Sequence, residues 1–264
     1  MSRWLVSSIP LWLLLLGLLI LIVGGALVIQ TYVRHRFPQI KQDAHNDVTR
    51  FAYGVVGFVY AFFIGFVVSA LWSHIKTEDA QARIEGAGGV QLARDVNAFD
   101  EVDRDRIRKS LLEYERAALA EWPLAARGRS LPEADKALQR LYAAYSEVRP
   151  RNDIQKAFLT TSFSNLNSIS QARTERVIQA RIDTGMPWSI WVVILLTSGL
   201  VLACAIIYGV EQSRMHYPLV ATVAVLVAAN LFLVLELSHP FIGRFATSSQ
   251  PLHHVVEVLS TPPT

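Results

Sequence analysis

Four long apolar runs constrain this chain more than any other feature of its sequence. Leu11 to Val33 runs for about 23 residues without a charge, Phe51 to Trp72 for about 22, Pro187 to Val210 for about 24 and Pro218 to Leu235 for about 18. A membrane-spanning helix needs roughly 20 apolar residues. Each run meets or nearly meets that length, so the sequence predicts an all-α integral membrane protein with four transmembrane helices in two pairs. A polar stretch, His74 to Met186, separates the pairs. The expected division is residues 1–73 for the first helix pair, 74–186 for a helical extramembrane region, 187–238 for the second pair and 239–264 for a C-terminal tail.

The first run also has to be weighed as a signal peptide. Signal h-regions are about 7–15 residues long and precede a small-residue cleavage site. This run is longer, ends in Tyr32, Arg34, His35 and Arg36, and has no A-x-A-like site, so a retained helix is expected. Trp4, Trp12, Tyr32, Trp72, Trp188, Trp191 and Tyr217 lie near the ends of the runs, as interfacial aromatic belts do. Four spans put both termini and the polar middle on one side. That side carries Arg3, Lys76, Arg83, Arg173, Arg176, Arg181 and Arg244 near the spans, against Arg34, Arg36, Lys41, Arg50 and Arg214 in the two short loops. The positive-inside rule then favours cytoplasmic termini.

The polar middle reads as helices. Ile107, Leu111, Tyr114 and Ala118 recur at helical spacing, and so do Leu138, Leu141, Tyr142, Tyr145 and Val148. Gly86-Ala87-Gly88-Gly89, Pro123, Gly128, Pro132 and Pro150 are expected to punctuate it. Pro132 with Glu133 and Asp135 fits a first helical turn. Asn152 or Asp153 fits the cap of a last helix reaching about Ile182. Asp100 to Lys109 alternates in sign, the pattern of a solvated, salt-bridged helix face.

Only 18% of the residues are charged and the net charge is +3. Ordinary soluble domains carry about 25% charged residues. With 52% hydrophobic residues, the composition excludes a disordered or collagen-like chain and argues against a nucleic-acid partner. Cys204 is the sole cysteine, which excludes an intrachain disulfide and thiolate clusters. No nucleophile elbow, Walker loop or dinucleotide fingerprint is present, so neither an enzyme nor a cofactor is expected. His253-His254 near Glu257 offers a metal-binding option, set against an ordinary exposed pair.

The second run is the informative one. Gly57, Ala61, Gly65 and Ser69 fall at steps of four, a ridge of small residues that lets another helix approach closely. Beside it run Phe58, Phe62 and Phe66, also at steps of four and so on one helix face. Such a stripe fits a lipid-facing or core surface, and it also fits the wall of a pore. A ring of apolar side chains from several copies forms a constriction that gates ions by dewetting. Phenyl rings have positive edges, which turned inward favour an anion modestly.

Phe62-Phe63-Ile64-Gly65-Phe66 is similar to the F-x-L-G-F stretch in the second transmembrane helix of bestrophins. Pro240-Phe241-Ile242-Gly243, just after the last run, resembles the P-F-G of that family. His45-Asn46-Asp47-Val48 and the overall layout resemble the bacterial family described as a bestrophin-like domain of unknown function. The resemblance implies a homo-oligomer of five copies in the bacterial cytoplasmic (inner) membrane. It further implies an anion-conducting pore with its neck at Phe58, Phe62 and Phe66, and small inorganic anions as permeant partners. Two departures stand out. Calcium-responsive bestrophins carry an acidic cluster where this chain has Arg244-Phe245-Ala246-Thr247-Ser248-Ser249, so no carboxylate calcium site is expected. Val59 follows Phe58 where the family has Pro.

Polar groups near the spans complete the candidates. Glu236 and His239 close the fourth run on one face. Glu236 fits either a structural ion pair, with Arg244 as partner, or interfacial solvation, or a permeation or proton-linked role. Asn46 or Asp47 fits a helix cap for the second span, and His45 is placed to titrate near neutrality. The rival to a channel is a non-conducting scaffold or sensor acting through the helical middle. Orientation is testable: a cysteine placed near residue 128 in a Cys204→Ala background should react with an impermeant thiol reagent only after cells are opened. Labelling of intact cells would place the middle region outside.

Overall fold

The computed structural model describes residues 6, 9–37, 46–125, 127–182, 185–207, 213–243 and 245–261, with side chains for all of these except 46–50 and 213–215. Among them are eight helices: α1 (Leu11–Arg36), α2 (Asn46–Asp95), α3 (Glu101–Ala125), α4 (Pro132–Ser146), α5 (Asp153–Ile182), α6 (Trp188–Ile207), α7 (Ser213–Leu237) and α8 (Gln250–Ser260). A 3-10 turn, Val96–Ala98, follows α2. The helices group into two compact units, Met1–His74 with Thr184–Phe245 and Ile75–Asp183 with Ala246–Thr264. The boundary falls inside α2, which at 50 residues has more than twice the length that a membrane crossing requires.

The first unit holds the four helices long and apolar enough to cross a membrane: α1, the first half of α2, α6 and α7. Alpha-7 is the most enclosed of them, with 44% of its apolar window buried against 11% for α1 and 17% for α2. Its Val220, Ala224, Val227, Leu231 and Val234 meet Ala26 of α1, Tyr60, Ile64 and Val67 of α2, and Ile194, Val201 and Ala205 of α6. Hydrocarbon gives helices no hydrophobic reason to associate, so fit and cross-helix hydrogen bonds hold them. Arg34 donates to His216 Nδ1 at 2.9 Å. That leaves the other ring nitrogen of His216 to donate to the Ala205 carbonyl at 3.1 Å. Thr31 and Tyr217 join their hydroxyls at 3.3 Å, and Ser198 reaches the Tyr60 hydroxyl at 3.4 Å.

The second unit is a helical module with a water-type core. Ile107, Leu111, Tyr114 and Ala118 of α3 are fully buried, as their spacing predicts, with Leu141 and Tyr145 of α4 and Leu166 and Ile169 of α5. Alpha-4 begins at Pro132, and Asn152 caps α5 by accepting from the Gln155 amide at 2.8 Å. The alternating charges after Asp100 form surface pairs, among them Arg106 to Asp103 at 2.6 Å and Arg151 to Asp100 at 2.7 Å.

Two expectations about this region are corrected. Gly86-Ala87-Gly88-Gly89 does not break the chain but lies within α2, and Pro123 lies within α3, two residues before its end. Packing outweighs propensity at the glycines. A methyl group on Gly86 would stand 2.5 Å from Pro251, on Gly88 2.8 Å from Ile169, and on Gly89 2.6 Å from a Glu115 oxygen. The glycines form a notch that receives α8 and α5. The segment expected as a tail contains α8, whose Leu252, Val255 and Leu259 enter the core.

Charges are also buried here, which periodicity does not reveal. Glu85, Glu115 and Glu121 are wholly enclosed, with Arg173 and Arg176 beside them. Arg173 donates to both oxygens of Glu121 at 2.9 Å and to Asp135 at 2.8 Å. Arg176 donates to both oxygens of Glu85, at 3.1 and 3.2 Å, with its guanidinium 4.6 Å over the Trp122 ring. Tyr114 donates to Glu85 at 2.8 Å, and the Leu131 amide donates to Glu121 at 3.0 Å. Removing one partner of such a pair strands a buried charge, which costs roughly 3–5 kcal/mol. Arg173→Met should therefore lower the unfolding free energy of the module by about that amount. Chemical denaturation followed by helix signal checks it, and a loss below about 1 kcal/mol would mean the pair is effectively solvated.

Candidate functional site

Alpha-2 has a buried strip and an exposed one. In the membrane unit its Tyr60, Ile64 and Val67 enter the core. On the opposite side Phe58, Phe62 and Phe66 are 73%, 72% and 68% exposed, among the most exposed large side chains in the chain. Residues four apart on a helix differ by only about 40° around its axis, so these three rings share one face. They climb it over about 12 Å. Phe51 and Val55 before them and Ser69 and Ser73 after them are exposed as well.

The ridge of small residues flanks that face. Ala61, Gly65 and Ser69 are exposed and Gly57 is half-buried. A methyl group added to Gly57 or Gly65 would meet nothing within 4 Å. Among the described residues no other helix packs against Gly57 or Gly65, and larger side chains make the contacts of α2. The phenylalanine face and the Ala61, Gly65 and Ser69 part of the ridge are left uncovered by the described residues.

The second group of candidates lies at the end of α7. Glu236 and His239 are 2% and 1% exposed, so interfacial solvation does not account for Glu236. Two glycines with left-handed backbone seat them. Gly243, at φ +94°, puts its Cα hydrogens where a methyl group would stand 2.9 Å from a Glu236 oxygen. Gly185, at φ +73°, does the same against the His239 ring, at 2.7 Å. Only glycine combines that backbone with that closeness. In the sequence Gly243 stands out only as part of the Pro240-Phe241-Ile242-Gly243 segment, and no local pattern marks Gly185 as a seat for His239. Arg244, weighed as the partner of Glu236, lies outside the described residues, as do His45 and the side chain of Asp47. The described part of α2 begins at Asn46, and the residue before it lies outside the described residues.

His253 and His254 are exposed on α8, with His254 3.6 Å from Glu257. Among the described residues no group of three or more His, Cys, Asp or Glu side chains is arranged to hold a metal ion.

Four apolar helices joined to a helical module define an all-α integral membrane protein. The Bestrophin-like domain family model matches residues 20–252, and the chain belongs to that family. Its fold matches single-substitution variants of a bacterial bestrophin homolog from Klebsiella pneumoniae. One gives a TM-score of 0.71 at 14% identity, covering 93% of this chain and 97% of that one. Another gives 0.66 at 14% identity, covering 93% and 98%. A structure described as a membrane protein variant gives 0.70 at 14% identity, covering 93% and 97%. No curated protein matches the chain.

The glycine seats carry a prediction. Gly243→Ala and Gly185→Ala each force an unfavourable backbone, worth about 1–3 kcal/mol, as well as a steric clash. Both should lower the thermal stability of the detergent-solubilised protein. Gly199→Ala, in open space on α6, serves as the control and should leave that stability unchanged. Equal losses in all three would show that the seats are not tight.

Proposed function

We propose that this protein is a homo-oligomeric, passive ion channel that conducts anions through a hydrophobic neck formed by Phe58, Phe62 and Phe66. The observation that carries the reading is the exposure of three phenylalanines on one face of α2 whose opposite face is the packed one. One helix closes no ring, so the neck needs several copies, and the family resemblance implies five. The ridge of Gly57, Ala61, Gly65 and Ser69 then serves as the seam between neighbouring α2 helices, since small residues allow close approach. Rings of phenyl groups about 6 Å apart along the axis hold water poorly and gate by dewetting. Inward ring edges favour an anion. Membership in the Bestrophin-like domain family supports the reading. The membrane is the bacterial inner membrane, with both termini and the helical module on the cytoplasmic side. Glu236 and His239 hold the turn after α7, as their enclosure by Gly185 and Gly243 suggests.

The test is electrical. Purified protein in a planar bilayer should pass current in chloride, and replacing Phe62 and Phe66 with Ala should raise that current several-fold or remove its gating. Current that the double variant leaves unchanged would move the neck elsewhere. No current in either form overturns the channel reading in favour of the scaffold. Particle images would show directly whether the phenylalanine face lines an axis or meets lipid.

A further inference from the structure

The buried charges of the helical module do not balance. Arg176 takes Glu85 and Arg173 takes Glu121, each through both carboxylate oxygens. Glu115 is as fully buried as those two, yet among the described residues neither of its oxygens has a hydrogen-bond partner. One oxygen instead lies against the Gly89 backbone, 2.6 Å from where a methyl group would sit. The same position is pressed from outside by Val255 of α8, at 2.9 Å. Thus Glu115 sits under the notch into which the C-terminal helix docks. That helix is held by Leu252, Val255 and Leu259 and by Arg108, which donates to the Leu259 and Thr261 carbonyls at 2.7 and 2.6 Å.

We propose that Glu115 is a proton-controlled latch: protonated, it lets α8 dock on the Gly86–Gly89 notch of α2, and its ionisation releases α8.

A carboxylate enclosed without donors loses its hydration and gains nothing in return, so it keeps its proton. Burial, with the Glu85 carboxylate adding to it, holds Glu115 well above the usual carboxyl range, against the pull of Arg176. Alpha-8 faces it with Val255, while His253, His254 and Glu257 of α8 are exposed. On α4, Glu133, Asp135, Lys136 and Arg140 are exposed. The sign follows. The docked form binds a proton that the undocked form, with Glu115 in water, releases at an ordinary carboxyl value. Docking is strongest below that value. It weakens by up to about tenfold per pH unit as pH rises, until Glu115 ionises even when docked.

Hydrogen exchange on the full-length protein in nanodiscs tests this. Corrected for intrinsic rates, amides of residues 250–261 should open more readily as pH is raised from about 5 to about 9. Glu115→Gln keeps the shape without the charge, so its α8 should stay docked with no pH slope. A flat wild-type profile, or the same slope in Glu115→Gln, overturns the proposal. Infrared spectroscopy gives an independent reading on wild type. At neutral pH the carbonyl stretch of a protonated carboxyl without hydrogen bonds should be present, and missing in Glu115→Gln. Its absence from wild type also overturns the latch.

Discussion

Hydrocarbon offers no partner to a peptide N–H or C=O, and that constraint organises the membrane unit. Each span must satisfy its own backbone as a helix before any packing is considered. Burial of oil contributes little between helices in lipid, so their association falls to shape and to a few polar contacts. Alpha-7 does most of this work, through a line of small and β-branched residues at Val220, Ala224, Val227 and Val234. Arg34, His216 and Tyr217 tie one end, where the guanidinium lies 6.0 Å from the Tyr217 ring centre.

The same helix, α2, meets two different solvents along its length, and its buried strip changes chemistry accordingly. In the membrane unit the strip is Tyr60, Ile64 and Val67. In the helical module it becomes Ala82, Glu85, Gly89 and Leu92. Water can solvate the unfolded state of the second stretch, so ordinary hydrophobic burial stabilises it and charges are admitted when paired. Glu85 is admitted because Arg176 and Tyr114 meet it. Among the described residues Glu115 has no such partner, and in the proposed latch its proton takes that place.

Much of this was legible beforehand. Uninterrupted apolar length marked the four spans, because a membrane crossing is a length requirement. Helical spacing marked Ile107, Leu111, Tyr114 and Ala118 as core. The glycines of 86–89 misled, because glycine permits both a break and a close approach, and only the neighbouring Pro251, Ile169 and Glu115 decide which. Arg173 and Arg176 look like solvated cations in sequence, since nothing local marks the acids on α2 and α3 that receive them.

By itself, then, the sequence determined that this is a four-span helical membrane protein with a charge-balanced module and a phenylalanine stripe on its second span. Period and length are local properties, and they are written residue by residue. The tertiary structure decided which faces are covered: it packed Tyr60, Ile64 and Val67 inward, left Phe58, Phe62 and Phe66 outside, and enclosed Glu236, His239 and Glu115. Those outcomes depend on contacts between residues far apart in the chain, which no local pattern records.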